Sequence, residues 1–469
     1  MTTIDIPAAG PTSAERHDVA TARRRHRAVF RSRWRDTVEA AGWLAGIGAV
    51  ALMLASGTVD VGSAAGFLTT MGRIAGIVAS TMIMAQLILI ARIPVVERVV
   101  GHDRAAKIHS QLGRLGFIVI IAHILLLIGG YALSIHTTFL DQTWQFVVGY
   151  GGPMFMASVG FVVLVAVVVT SYAIVRTRWR YENWHAVHLF SYLAVGLSIP
   201  HQFTDGESFL TMGFAWWYWV VLWTVAVGGL LAYRVVRPVT RYFRHRIAVA
   251  AVDRVSDGST VITMSGRDIL SLRPEAGQFF LFRFLAKDMW GEAHPYSLSR
   301  APRDGWLRIT VKPLGDSSAR LATLTPGTRV MVEGPLGIFT EASRSGDHLV
   351  LAGAGIGITP VLAFLETADV EPGRCTVIVR ASSLEDAPHL DEVVRIARER
   401  GAAVHVLVGR RGPGWSPAQN PVILSDLVPE IAGADIYACG PAVWVDALFA
   451  DAERAGVPKG RRHAEEFSW

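Results

Sequence analysis

Six apolar runs crowd the first half of this 469-residue chain, at about 38–57, 74–95, 108–133, 153–175, 184–200 and 214–236. A bilayer core takes roughly 20 apolar residues per helix, so runs of this length predict transmembrane helices. The second half reads as an ordinary soluble α/β protein, with short alternating segments punctuated by Gly and Pro. The 51% hydrophobic content therefore averages two unlike halves.

Basic charge sorts the connections. Arg23, Arg24, Arg25, Arg27, Arg31, Arg33 and Arg35 precede the first run. Arg92, Arg98, Arg104 and Lys107 lie between the second and third. Arg176, Arg178 and Arg180 separate the fourth and fifth, and Arg234, Arg237, Arg241 and Arg244 follow the sixth. The opposite connections hold Arg73 alone. Lys and Arg mark the cytoplasmic side, so the pattern predicts a multi-pass protein of the cell membrane with both termini cytoplasmic. The net charge of +6 is then a matter of topology. It indicates contact with membrane lipid and no nucleic-acid partner. Residues 1–21 are polar and rich in Pro, Ala and Ser, unlike a secretory signal. Cys375 and Cys439 are the two cysteines and fall in the soluble half, which gives no disulfide framework and suits a reducing compartment. No segment points to a protein partner.

Ionisable side chains inside a membrane span are costly and mark function. The third run carries His109 and His123, fourteen residues apart, which a helix places about 21 Å apart and within roughly 40° of one face. The fifth carries His188 and His201, thirteen apart, or about 19.5 Å. Both runs start on the cytoplasmic side, so His109 matches His188 in depth and His123 matches His201. Facing imidazoles at one depth suit the axial positions of a b-type haem, and two such pairs predict two haems stacked across the bilayer. Thirteen residues leave an ideal helix about 140° out of phase, so the fifth run must bend, and Pro200 beside His201 is the candidate. His185, one turn before His188, competes for the inner position. His102 and His136 fall in connections and read as ordinary polar residues.

These spacings, with Tyr181-Glu182-Asn183-Trp184-His185-Ala186-Val187-His188 entering the fifth run, resemble the ferric-reductase-like transmembrane domain shared by NADPH oxidases and ferric reductases. The resemblance implies the same pairing of haem ligands across the third and fifth helices.

Beyond about residue 245, runs such as 248–255 and 278–284 predict a small antiparallel β-barrel. Within it, His294-Pro295-Tyr296-Ser297-Leu298-Ser299 sets aromatics beside hydroxyls, a surface that can cover a flat ring. The strand 308–312, ending at Lys312, leads into Pro313-Leu314-Gly315-Asp316-Ser317-Ser318, a turn that opens a helix and forms a backbone nest for a diphosphate. Then comes a strand, the turn Gly353-Ala354-Gly355-Ile356-Gly357, and Thr359-Pro360 opening an apolar helix. That order is a phosphate cradle. Strands at 376–380, 404–408 and 435–439 complete half of a doubly wound sheet.

Together these segments resemble the ferredoxin-reductase superfamily, in the branch fused to the haem domain. The resemblance implies that His294, Pro295, Tyr296, Ser297, Lys312, Gly315, Asp316, Ser317 and Ser318 hold FAD. It implies that Gly353, Gly355, Gly357, Thr359 and Pro360 hold the diphosphate of NADPH or NADH. Cys439-Gly440-Pro441 would sit beside the nicotinamide, and Phe467 would shield the flavin. Plant-type members carry Arg where this chain has His294, and the membrane oxidases share the His. Arg380, at a strand end, is placed to meet a 2′-phosphate, with Arg410 and Arg411 as second candidates.

The expected organisation is multidomain. It runs from a basic cytoplasmic tail (1–36) to a six-helix transmembrane bundle with two haems (37–240). An FAD-binding antiparallel β-barrel (241–343) and an NAD(P)H-binding α/β half-domain (344–469) follow. The expected activity carries electrons from NAD(P)H through FAD and two b-type haems to an acceptor outside. Dioxygen giving superoxide is the first acceptor, and a ferric or cupric chelate the second. A haem-binding membrane protein with a decayed reductase half is the reading from another class, and the intact flavin, glycine and Cys-Gly-Pro motifs argue against it. Arg73, at about the depth of His123 and His201, is placed to pair with a haem propionate or polarise oxygen, and membrane oxidases of the family place a basic residue similarly. Their second polar residue, one turn beyond the outer ligand of the third helix, is here Leu127, which keeps chelate reduction in contention.

Overall fold

A computed structural model describes residue 34 and residues 36–172, 179, 181–206, 212–255, 258–287 and 289–466. The basic cluster 23–33 with Arg35, the loop arginines Arg176, Arg178 and Arg180, and Phe467 lie outside the described residues. The chain forms two compact units, Arg35–Val96 with His102–Val236, and Glu97–Gly101 with Arg237–Trp469.

Five helices among the described residues of the chain are long and apolar enough to cross a membrane: Asp36–Ala55, Ala64–Ile90, Arg104–Ser134, Gly152–Ser171 and Phe214–His245. The sixth expected crossing, 184–200, is the helix Tyr181–Ser198. It is shorter than the other five and diluted by Asn183, His185 and His188, and it stops before Pro200, where a second helix, Pro200–Thr204, begins. Helix Ala64–Ile90 starts ten residues ahead of the predicted apolar edge. The Ser63 hydroxyl caps it by accepting from the Gly66 amide at 2.9 Å, and Thr69 turns its hydroxyl back onto the Ala65 carbonyl at 2.8 Å. Capping and back-bonding let polar residues extend an apolar helix. Arg73 therefore lies within this helix instead of ahead of it.

Small residues set the helix contacts, as expected where lipid and side chains are equally apolar. Helix Ala64–Ile90 packs along His102–Ser134 through Gly72 and Gly76. A Cβ on Gly72 would come within 2.8 Å of Leu127, and one on Gly76 within 2.6 Å of the His123 ring. Helix Gly152–Ser171 meets Tyr181–Ser198 at Gly160, where a Cβ would lie 2.9 Å from the Ala194 carbonyl. Ala49, Met53, Ile77, Met84, Leu87, Trp219, Trp223 and Ala226 form the buried apolar cluster of this unit.

In the other unit, strands β1 (Ala248–Arg254), β2 (Thr260–Ser265) and β5 (Trp306–Val311) form one antiparallel sheet, and β4 (His294–Ser297), β3 (Phe279–Phe284) and β6 (Val330–Leu336) another. Bridges Ala248↔Arg329 and Leu298↔Ile309 join their edges. Phe280, Phe282 and Phe284 on β3 fill the space between the sheets with Ile262, Met264 and Ile309. A parallel sheet follows in the order β11-β10-β7-β8-β9, built from β7 (His348–Ala354), β8 (Cys375–Ala381), β9 (Ala403–Val408), β10 (Ala434–Gly440) and β11 (Arg462–Glu466). Strands β7, β8 and β10 are buried along their whole length, which is why they read as continuous apolar runs. Arg308 of β5 joins the antiparallel part to helix Leu390–Glu399, donating to both oxygens of Glu392 at 3.1 and 3.0 Å.

Candidate functional site

The surroundings of the membrane histidines fix their tautomers. Gly72 offers a carbonyl at 2.7 Å from His123 Nδ1. A carbonyl only accepts, so Nδ1 carries the proton and Nε2 keeps its lone pair. Ser171 spends its hydroxyl hydrogen on the Val167 carbonyl at 2.7 Å, so its oxygen accepts from His188 Nδ1 at 3.3 Å. His188 Nε2 is likewise left with its lone pair. These are the outer partners that metal-binding imidazoles use to set their ring orientation.

His109 faces His188 with ring centroids 6.2 Å apart and planes at 75°. Imidazole–metal bonds of about 2.0 Å, with each ring centre about 1.1 Å beyond its nitrogen, bring two axial rings to roughly 6 Å between centroids. The pair fits an iron between them. His185 packs against Trp184, whereas Trp184 also lies 5.1 Å from the His188 ring. The break at Pro200 puts His201 in a separate short helix, within electrostatic reach of His123. Arg73 follows Gly72 in sequence and donates from Nη1 to the Thr58 carbonyl at 3.1 Å.

In the flavin half, β4 pairs with β3 so that Ser297 lies opposite Phe279 and His294 opposite Phe282, with Pro295 opposite Leu281. Alternation sends His294 and Tyr296 to one face, rings 6.2 Å apart and nearly parallel at 28°. Ser297 points the other way and is buried, its Oγ without a hydrogen-bond partner. A buried hydroxyl of this kind fits a polar group supplied by a bound cofactor. Glu292 joins His294 at 3.4 Å to Arg320 at 2.6 Å. Burial opposes ionisation of Glu292, but hydrogen bonds from Arg320 and Ser317 and the Arg320 charge outweigh it and hold the carboxyl below its ordinary range. Burial, and then the Glu292 charge, push the Tyr296 phenol well up, so it stays a donor.

The expected nest at 315–318 is only partly open. Ser318 Oγ accepts from the Leu314 and Gly315 amides at 2.9 and 3.0 Å. The amides of Asp316, Ser317 and Ser318 lie in the first turn of helix Asp316–Arg320. Lys312 follows directly on β5.

The three glycines after β7 differ in role. A Cβ on Gly353 would come within 2.8 Å of Ile358 backbone, and one on Gly357 within 2.2 Å of the Cys439 carbonyl. Both are needed for close packing of turn against strand. Gly355, at φ +55°, would meet nothing within 4 Å, so its side is the one open to a cofactor. Thr359 turns its hydroxyl onto the Ile356 carbonyl at 3.0 Å, and Pro360 is buried in helix Ile358–Thr367. Gly440, at φ +159°, packs on Ala354, and Pro441 precedes helix Ala442–Arg454. Cys439 is fully buried, and burial with the Glu465 charge raises its thiol well above the ordinary value.

Arg380, the expected 2′-phosphate partner, makes backbone contacts at the strand ends. Its guanidinium donates to the carbonyls of Ala381, Leu407 and Gly409, clamping the ends of β8 and β9, and burial with the nearby Arg411 lowers its pKa. Residues that sequence reasoning missed include Glu465, aligned with Cys439 through the β10–β11 pairing, and Ser171. Parallel register across strands far apart in sequence leaves no local signal. Gly72 and Gly76 did leave one, a pair of glycines four residues apart in an apolar helix.

A profile of ferric reductase like transmembrane components matches residues 75–199. The chain is also similar to oxidoreductases over about two fifths of its length. One is the ferredoxin reductase component of 3-ketosteroid-9-alpha-monooxygenase from Rhodococcus rhodochrous, 30% identical over 43% of this chain and 58% of that protein. Another is respiratory burst oxidase homolog protein D of Arabidopsis thaliana, 26% identical over 39% of this chain and 22% of that protein. The chain thus combines a segment similar to ferric reductase like transmembrane components with similarity to ferredoxin-reductase-type oxidoreductases. It spans about three fifths of the length of the ferredoxin reductase component. Among solved structures, the flavohem-like FAD/NAD binding domain of nitric oxide dioxygenase from Vibrio cholerae aligns with 47% of this chain and 98% of that one, at 25% identity and a TM-score of 0.41.

Proposed function

We propose that this oxidoreductase moves electrons from cytoplasmic NAD(P)H through FAD and two b-type haems to dioxygen on the outer side, giving superoxide. The membrane domain then holds six crossings, with Tyr181–Ser198 as the fifth, and the two antiparallel sheets close into the flavin barrel. The observation that carries the reading is the His109–His188 pair, 6.2 Å apart, with His188 Nδ1 donating to the Ser171 hydroxyl oxygen.

When bound, the flavin splits a two-electron hydride donor into single electrons and the haems relay them, so one NAD(P)H balances two dioxygen molecules and releases one proton. The chain's residues position and insulate. Gly355 and the first turn of helix Ile358–Thr367 seat the diphosphate of the nicotinamide cofactor. Cys439 stays a neutral thiol beside the transfer point, and Glu465 next to it is the nearest acid. His294, Tyr296 and Ser297 orient the flavin, and Tyr296 donates a hydrogen bond. His109 with His188, and His123 with His201, hold two irons at two depths.

The test combines pyridine haemochrome analysis with aerobic NADPH turnover in the presence and absence of superoxide dismutase, run beside ferric-chelate reduction. Two haems per flavin and dismutase-sensitive turnover are expected. Turnover that needs chelate and ignores dismutase would assign the ferric-reductase reading instead, which Leu127 in the outer pocket favours.

A further inference from the structure

Where the fifth helix breaks, an unusual set of hydrogen bonds converges on one side chain. Pro200 has no N–H, so it cannot continue the helical ladder. The Ile199 amide reaches the Gly196 carbonyl at 3.4 Å and the Gln202 amide reaches Ile199 at 3.1 Å. The Ser198 carbonyl is thereby deprived of the amide four residues on. Gln202 replaces it with its side chain, donating from Nε2 to Ser198 at 3.0 Å. The Oε1 atom then accepts two indole N–H groups, from Trp219 at 3.0 Å and Trp223 at 3.1 Å.

Both indoles are buried. Trp219 and Trp223 stand one turn apart on helix Phe214–Leu231 and are only 1% and 5% exposed, inside the cluster of Met53, Ile77 and Met84. Two donors on one oxygen also fix the orientation of the amide, since a flipped NH2 would face N–H groups. Gln202 is therefore tied at both ends, to the last turn before the break and to a separate helix. His201 is the preceding residue, in a helix of five residues, too short to hold an orientation by itself.

We propose that Gln202, held by Trp219 and Trp223, is the positioning residue that aims His201 at the outer haem; this rests on the haem reading given above. The thirteen-residue spacing from His188 to His201 would face an unbroken helix the wrong way, and Pro200 alone removes the constraint without choosing a new direction. The amide clamp supplies the direction. Gln202 acts on His201 through the backbone and not by a direct hydrogen bond, so the about 10–100-fold lost with a ligand's own outer partner is the upper range of the effect.

The test uses the full-length protein in nanodiscs, with haem-to-flavin ratio, low-spin EPR signals and potentiometric titration as readouts. His188→Ala and His201→Ala assign the inner and outer signals. Gln202→Leu is expected to lower outer-haem retention by up to about 100-fold or to shift that haem's g-values and midpoint potential, with the inner signal unchanged. The pair Trp219→Phe with Trp223→Phe keeps the rings, removes both N–H donors and should reproduce the effect. The unchanged inner signal reports that each variant has folded. Wild-type haem signals in both variants, even with lowered thermal stability, would leave Gln202 as a partner for buried indoles and overturn the proposal alone. A wild-type protein without two low-spin signals, or a His201→Ala variant that keeps both, overturns the haem reading and the proposal with it.

Discussion

Gly76→Ala should remove the outer haem while leaving the inner one in place. A Cβ at Gly76 would lie 2.6 Å from both Cε1 and Nδ1 of His123. Carbon contacts settle at about 3.5–4.0 Å, so the ring must retreat by roughly 1 Å. Such a shift breaks the 2.7 Å bond from Nδ1 to the Gly72 carbonyl. It also exceeds the tolerance of about 0.2 Å on a metal–ligand distance. Losing the outer partner alone costs about 10–100-fold in metal affinity, or about 1.4–2.7 kcal/mol, and displacement of the ligand adds to it. Gly129→Ala is the control, since its Cβ would meet Leu68 at an ordinary 3.7 Å in the same helix pair. Pyridine haemochrome analysis and EPR of the purified protein read the outcome. Two low-spin haems in Gly76→Ala, with the same potentials as wild type, would refute the placement of His123 as a ligand.

Ser171→Ala should weaken the inner haem by about 10–100-fold, because His188 Nδ1 loses its acceptor; haem content after dialysis measures it. Arg380→Ala should lower the thermal midpoint, since charged hydrogen bonds to the ends of β8 and β9 are lost, at about 2 kcal/mol. It should leave the ratio of NADPH to NADH kcat/KM near wild type. A selective loss with NADPH would instead return Arg380 to the cofactor. Glu392 titrates low, at about 2: burial opposes its ionisation, but hydrogen bonds from His389 and Arg308 outweigh it. Its folded value is depressed, so its contribution is present above pH 4.5 and is lost as pH falls toward 2. Glu392→Gln should flatten that part of the acid-unfolding curve.

Elements with local signals were legible. Most of the apolar runs, the strands at 278–284, 376–380 and 435–439, and the bend at Pro200 announce themselves locally, and the observed strand bounds agree within one residue. What was not legible depends on residues that meet only in space. Helix Ala64–Ile90 extended into polar sequence because Ser63 and Thr69 satisfy its backbone, which hydropathy does not register. The fifth helix read as a span by length, yet its histidines and Pro200 make it the least apolar of the set. Arg380 reads as a phosphate ligand from its place at a strand end, and its donation to three carbonyls at neighbouring strand ends was not legible. The turn at 315–318 read as an open nest, and Ser318 closes two of its amides.

The choice of acceptor narrows to Arg73. Its neighbour Gly72 holds His123, the proposed outer-haem ligand, through a backbone carbonyl, so the guanidinium stem starts one residue from the glycine that orients that ring. Its Nη1 is spent on Thr58, in the connection before this helix. A fixed cation there favours charge that develops on reduction of a small neutral molecule, where a donor aimed at the product is worth most. A ferric chelate already carries its own ligands and reacts at a haem edge, where loss of one cation matters less. Arg73→Ala should therefore cut superoxide formation by about 10-fold or more and leave ferric-chelate reduction within about twofold of wild type. Arg73→Lys should restore part of the oxygen reaction, since a point charge remains but the fixed fork is lost. Equal loss in both assays with both haems retained would make Arg73 a structural tie to Thr58. Wild-type rates in both would remove it from the reaction.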